Sequence, residues 1–176
     1  LLVELVSLLL YFYTSDFTFS FSEVRLHVFL LHAVHFLVPL EIYDRCLLLM
    51  HGKGMTLTDQ VGQQWRLSET LDAAHFKGED LIDACLHDGP ILDFNLMTRR
   101  KDCRAKVFTS QQEKSQKIDL NGDLFLLFSI QGNTHFQLNN RQQTQVQEQH
   151  ILQLGSSTAD TCHCHGEAWV GILISN

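Results

Sequence analysis

Short apolar segments separated by turn signals run along almost the whole chain, and this punctuation constrains the fold more than any other feature. Asp16-Phe-Thr-Phe-Ser-Phe-Ser22 alternates polar and aromatic residues with a period of two, so Phe17, Phe19 and Phe21 share one face of a half-buried strand. Val24–Leu31 reads as another strand, and Pro39 and Glu41 end the apolar run before Asp44. The run Arg45–Met50 is closed by His51-Gly-Lys-Gly54 and followed by Met55-Thr-Leu-Thr58, which is a hairpin pattern. Trp65-Arg-Leu67 opens a further strand, and Ala73–Leu86 admits two readings, two strands about a turn at Gly78-Glu-Asp80, which is preferred, or a helical turn over Glu79–Leu86. Ile91–Met97 alternates, Cys103–Thr109 has strand character, and the polar stretch Gln111–Lys117 is the best linker candidate. Leu124–Ile130, Thr134–Leu138, Gln145–Gln149, His150–Leu154, Thr161–His165 and Trp169–Ile174 complete the series. Strands of this kind, with turns about every 8–12 residues, predict an all-β sandwich or barrel. An apolar strand followed by a glycine turn occurs at Cys46–Gly54 and again at Leu124–Gly132, as two related β halves would produce.

Charge and cysteine content narrow the class of partner. The 176 residues carry a net charge of −7. Residues 1–90 hold 5 Lys/Arg against 12 Asp/Glu, and residues 91–176 hold 8 against 8. Only Arg99–Lys106 is locally basic, so no nucleic-acid partner is expected. Five cysteines (46, 85, 103, 162 and 164) are an odd number and read as reduced thiols of a cytoplasmic protein. Leu1–Tyr13 contains Glu4 and no basic flank, unlike a signal peptide. Leu26–Leu40 lacks Asp, Glu, Lys and Arg but holds three histidines and Pro39 over 15 residues, short of the ~18–20 that a spanning helix needs, so no membrane partner is expected.

Several side chains could carry chemistry. Arg45 opens an apolar strand, and a buried arginine needs a partner. It could offer its fork to a ligand carboxylate, or pair internally with Asp93 or Glu4. Asp93, Asn95 and Met97 share one strand face, and Leu92, Phe94 and Leu96 the other. The polar face could look into a barrel or out to solvent; Met97 favours the inside, where Asn95 could both donate to and accept from a ligand. Cys162-His-Cys-His165 combines zinc-type ligands, but on a strand Cys162 and Cys164 face one way while His163 and His165 face the other, so one ion cannot gather all four. No metal site and no cofactor are therefore expected. No Gly-x-Ser-x-Gly, Walker or dinucleotide-binding glycine pattern occurs, and no catalytic residue is assigned.

Three segments carry a family resemblance. Asp93-Phe-Asn-Leu-Met-Thr-Arg-Arg100, continued by Cys103-Arg-Ala-Lys-Val107, is the most specific. Tyr43-Asp-Arg-Cys-Leu-Leu-Leu-Met-His-Gly-Lys-Gly-Met55 is the second, and Thr18–Ser22 with Phe36–Pro39 is a weaker third. In order and spacing these resemble the HutD/Ves family of bacterial proteins. The resemblance implies a bicupin, two stacked small β-barrels (jelly-roll-like) in one chain, without the usual cupin metal ligands. Its halves are expected at residues 1–112 and 113–176. It also implies binding of a metabolite of histidine utilisation, such as N-formylglutamate or urocanate, in a regulatory and not a catalytic role. Ves members are linked to cold or stress response. Arg45 would then anchor a carboxylate of a small anionic metabolite, Asp93 and Asn95 would orient it, Glu4 would close one side, and Arg99 would flank the site. Two other readings stand beside this one. A metal-dependent cupin isomerase or dioxygenase would draw on His163, His165, Cys162 and Cys164. A non-catalytic interaction protein would use its apolar N-terminal region as a homo-oligomer interface.

Overall fold

Every described element is a β-strand, in keeping with the period-two alternation of the sequence. The computed structural model describes residues 42–176 apart from 140, 142 and 156–159, and before them the backbone of four strands. Those four are β1 (Val3–Val6), β2 (Phe17–Phe21), β3 (Val24–Leu31) and β4 (His35–Leu37). They are followed by β5 (Tyr43–His51), β6 (Met55–Asp59), β7 (Gln64–Leu67), β8 (Ala73–Lys77), β9 (Ile82–Leu86) and β10 (Ile91–Arg99). Next come β11 (Arg104–Thr109), β12 (Ser115–Asp119), β13 (Leu124–Gln131) and β14 (Thr134–Leu138). The last are β15 (Gln143–Val146), β16 (Ile151–Gly155), β17 (Thr161–His165) and β18 (Ala168–Ser175). The side chains of Phe17, Phe19 and Phe21, and the break expected at Pro39 and Glu41, lie outside the described residues.

The chain forms two units, one of residues Tyr13–Cys103 and the other of Leu1–Phe12 with Arg104–Asn176. The first holds a five-stranded sheet in the order β8-β5-β10-β3-β2 and a four-stranded sheet β4-β9-β6-β7. The second repeats both: β16-β13-β18-β11, with β1 added beside β16, and β12-β17-β14-β15. All pairings are antiparallel. The recurring strand-and-glycine-turn pattern is thus β5–β6 in one unit and β13–β14 in the other. This is the two-barrel all-β fold the sequence predicts. The division drawn from sequence after residue 112 differs from the division by pairing. β11 is hydrogen-bonded along β18 from Arg104↔Ser175 to Thr109↔Val170, and β1 along β16, so both belong with the later strands. The expected linker 111–117 is in part strand as well: β12 pairs with β17, burying Ile118 while Ser115 and Lys117 face solvent.

In each unit the two sheets close on an apolar core. Leu47, Leu49 and Ala74 of the first unit's larger sheet meet Met55, Leu57, Leu67, Ile82 and Ala84 of the smaller one. The corresponding core of the second unit contains Phe125, Leu127, Phe136, Leu138, Leu152, Leu154 and Trp169. Gly54 closes the β5–β6 turn at φ +98, and a Cβ there would stand 2.2 Å from the Leu67 carbonyl oxygen. Only glycine fits such a position. Among the described residues no helix is long and apolar enough to cross a membrane.

Candidate functional site

Four of the residues singled out in sequence, Arg45, Asp93, Asn95 and Arg99, lie on the inward face of the first unit's larger sheet. β10 runs between β5 and β3, and its residues from Ile91 to Thr98 are buried on both faces. Alternation alone therefore cannot reveal which face looks inward; the register does. Arg45 stands opposite Met97, Leu47 opposite Asn95 and Leu49 opposite Asp93. Leu47 and Leu49 belong to the unit's core. Asp93, Asn95, Met97 and Arg99 thus form one inward row on β10, facing Leu49, Leu47, Arg45 and Tyr43 on β5. The structure brings Arg45, Asp93, Asn95 and Arg99 together on this face, and Asp93 and Asn95 do not look out to solvent.

Burial sets the electrostatics. Arg45 is 6% exposed and Asp93 and Asn95 each 1%. Burial pushes the Arg45 pKa below its ordinary value, and the neighbouring Asp93 carboxylate acts in the opposite direction. The guanidinium Cζ lies 5.1 Å from the centre of the Phe76 ring, within range for a cation–π contact. Phe76 in turn leans on Trp65, with ring centres 6.0 Å apart. Asn95 Oδ1 is buried and accepts no hydrogen bond among the described residues. Such an orphan costs about 1–3 kcal/mol.

Arg99 ends the row. It is partly exposed, bridges to Asp102 at 3.0 Å, and has its pKa raised first of all by a hydrogen bond with Tyr43. Arg100 has a different task. Its guanidinium donates to Asp44 Oδ1 at 2.8 Å, to both Glu79 carboxylate oxygens at 3.2 and 2.9 Å, and to the Tyr43 carbonyl at 3.1 Å, and so ties the end of β10 to β5 and the β8–β9 turn. Glu4 is on β1, opposite Gln153 in the second unit, and its side chain lies outside the described residues. One neighbour of Arg45 was not singled out in sequence: Phe76 comes from β8, a pairing that nothing local to Arg45 announces.

The equivalent strands of the second unit carry no such row. β13 pairs with β18 as β5 pairs with β10, and Phe125↔Leu173, Leu127↔Gly171 and Ser129↔Trp169 occupy the matching register. Phe125 therefore stands where the first unit has Arg45, Gly171 where it has Asn95, and Trp169 where it has Asp93. A Cβ on Gly171 would come within 3.1 Å of the Phe125 ring, so the missing side chain makes room for the aromatic fill. The metal-type residues of β17 are split as alternation requires, with Cys162 and Cys164 buried and His163 and His165 exposed. The two thiols sit 3.9 Å apart, and their contact together with burial raises the Cys164 pKa. Among the described residues no three His, Cys, Asp or Glu side chains gather at a point that could hold a metal ion.

Comparison with known proteins agrees with this architecture. A conserved protein of unknown function from Pseudomonas aeruginosa PAO1 is similar with a TM-score of 0.77 at 22% identity, over 88% of this chain and 81% of that one. HutD from Pseudomonas fluorescens SBW25 gives 0.74 at 20% identity, over 87% and 79%. A cupin 2 conserved barrel domain protein from Leptotrichia buccalis gives 0.56 at 9%, over 92% and 88%, which places the fold among the cupin barrels. No match is found among curated protein sequences. The sequence model of the HutD family matches residues 39–172, most of the chain including β5 and β10, and the chain belongs to the HutD family.

Proposed function

We propose that the unit of residues 13–103 binds a small anionic metabolite without converting it, and that the protein regulates histidine utilisation through that binding. The observation that carries the reading is Asn95 Oδ1, buried without a hydrogen bond among the described residues on the same inward face as Arg45. The Arg45 guanidinium on this face has the planar fork of N–H donors that suits a ligand carboxylate. Asn95 Oδ1 asks for an N–H or O–H. A ligand with a carboxylate and an N–H donor meets both demands, and N-formylglutamate and urocanate each have this pair. Arg99, half-exposed at the end of the row, attracts the anion, and Glu4 is the further candidate contact.

The test is thermal unfolding with N-formylglutamate, urocanate, histidine and glutamate, each with and without EDTA. A ligand at 100 times its Kd adds about 2.7 kcal/mol, or roughly 5–10 °C for a chain of this size. The expected result is a selective, EDTA-insensitive rise with one acid. Asn95→Ala, which deletes the acceptor, and Arg45→Lys, which keeps the charge but loses the fork, should each abolish it. No rise with any of the four, or a rise unchanged in both variants, refutes the proposal.

A further inference from the structure

The outer face of the second unit's smaller sheet carries a histidine pair that the binding reading does not use. His135 on β14 and His165 on β17 are direct register partners. Their rings lie nearly parallel, 19° apart, with centres 6.4 Å from each other. His165 is exposed and His135 half-exposed, while the alternate residues Phe136, Cys164 and Cys162 fill the core behind them. The same row across the sheet continues to Ser115 on β12 and Gln145 on β15. His163, two residues along the strand, is engaged with Ser115 Oγ at 3.1 Å. Neither His135 nor His165 has a hydrogen bond on its ring among the described residues, so both imidazoles can act as ligands without breaking a hydrogen bond.

We propose that His135 and His165 together chelate one divalent late transition-metal ion on this exposed face. Neutral imidazole is the commonest protein ligand for such ions. Side chains directly opposite on antiparallel strands have Cβ atoms about 4.5–5.5 Å apart, a span that two imidazole nitrogens at about 2.0–2.1 Å from one ion can bridge by side-chain rotation alone. No three potential ligands converge here, so the ion keeps open positions for water or an exogenous group. A two-nitrogen chelate with open positions favours copper(II) over nickel(II) and zinc(II). The site is separate from the Arg45 row, which lies in the other unit, and either can stand without the other.

The probe is copper(II), titrated into chelator-stripped protein without a polyhistidine tag and followed by calorimetry and electron paramagnetic resonance. One strongest site per chain is expected, with a spectrum reporting two nitrogen ligands. His135→Gln and His165→Gln, both on the solvent side of the sheet, should each weaken it at least tenfold, and His163→Gln should change it less than twofold. Circular dichroism confirms that each variant is folded. Parental affinity in both His135→Gln and His165→Gln overturns the assignment, as does a loss confined to His163→Gln.

Discussion

Replacing Arg45 by Met should destabilise the first unit by about 4 kcal/mol. The guanidinium is 6% exposed and the Asp93 carboxylate that acts on it 1% exposed, so neither charge is compensated by water. Deleting the Arg45 charge removes its attraction to the buried Asp93 carboxylate, and removing one charge from a buried, electrostatically coupled set typically costs about 3–5 kcal/mol. Loss of the contact with the Phe76 ring, 5.1 Å from Cζ, adds roughly 0.5–2 kcal/mol. The methionine side chain recovers part of this by packing against Leu47, Ala74 and Phe76, the residues that surround position 45 on β5 and β8. Asp93→Asn should be costly for the mirror-image reason. The double variant should lose at least about 1.5 kcal/mol less than the sum of the two, because the attraction between the two charges is then lost once and not counted twice. The assay is urea unfolding followed by tryptophan fluorescence in a Trp169→Phe background common to all four proteins. Trp65, which packs on Phe76, then reports the unit that carries Arg45. An Arg45→Met loss below about 1 kcal/mol, or strict additivity in the cycle, would refute the electrostatic account of this face.

Three further outcomes follow from the packing. The Cys46 thiol is held by burial at about 12 against an ordinary value near 9, so the folded state keeps its proton where the unfolded chain releases it. Stability is therefore full below pH 9 and falls by about 4 kcal/mol as pH rises to 12; Cys46→Ala should flatten that slope in alkaline urea titrations. Of the five free cysteines only Cys85 is exposed, so a thiol reagent should modify one group in the native protein and the other four only after unfolding, as counted by mass spectrometry. Gly171→Ala forces a Cβ to within 3.1–3.2 Å of two Phe125 ring atoms and should cost about 1–3 kcal/mol by urea unfolding, whereas Phe125→Leu in the same chain should relieve part of that cost.

Strand positions were legible in the sequence wherever one face of the sheet is wet. Thr161–His165 alternates buried and exposed residues as its Cys-His-Cys-His pattern requires, and β17 has those bounds. The inward direction of Asp93 and Asn95 was not legible, because Phe94 and Leu96 on the other face are buried as deeply, at 2% each. A strand covered on both sides reads the same from either. Residues 115–117 looked like linker because Ser115 and Lys117 face solvent and only Ile118 marks the core. The grouping of β1 with β16 and of β11 with β18 depends on pairings between residues more than sixty positions apart, which no local pattern encodes. The contact between Arg45 and Phe76 is of the same kind, since it needs the register of β5 on β8.

The repetition of the fold gives the candidate site its sharpest physical argument. Two units share one strand order and one register, and at three matching inward positions they hold Arg45, Asn95 and Asp93 in one case and Phe125, Gly171 and Trp169 in the other. The aromatic set is what stability alone selects: fully buried apolar surface, with a glycine to admit the rings. The polar set places a cation, a carboxylate and an amide oxygen without a hydrogen bond among the described residues in the same environment, at a cost the other unit avoids. An arginine has no lone pair to give a metal, and its inward neighbours on β5 and β10 are Leu47, Leu49 and Met97, which suits the proposal of an organic anion with a hydrogen-bond donor. A triple variant Arg45→Phe, Asn95→Gly, Asp93→Trp, which copies the second unit's filling into the first, separates the two demands. It should approach or exceed the parent's stability, because it removes the buried charges and the orphan acceptor together, while losing all response to the metabolite acids. A triple variant that still responds to the acid would place the binding site elsewhere; one that unfolds outright would mean that the two units are not packed alike at these positions.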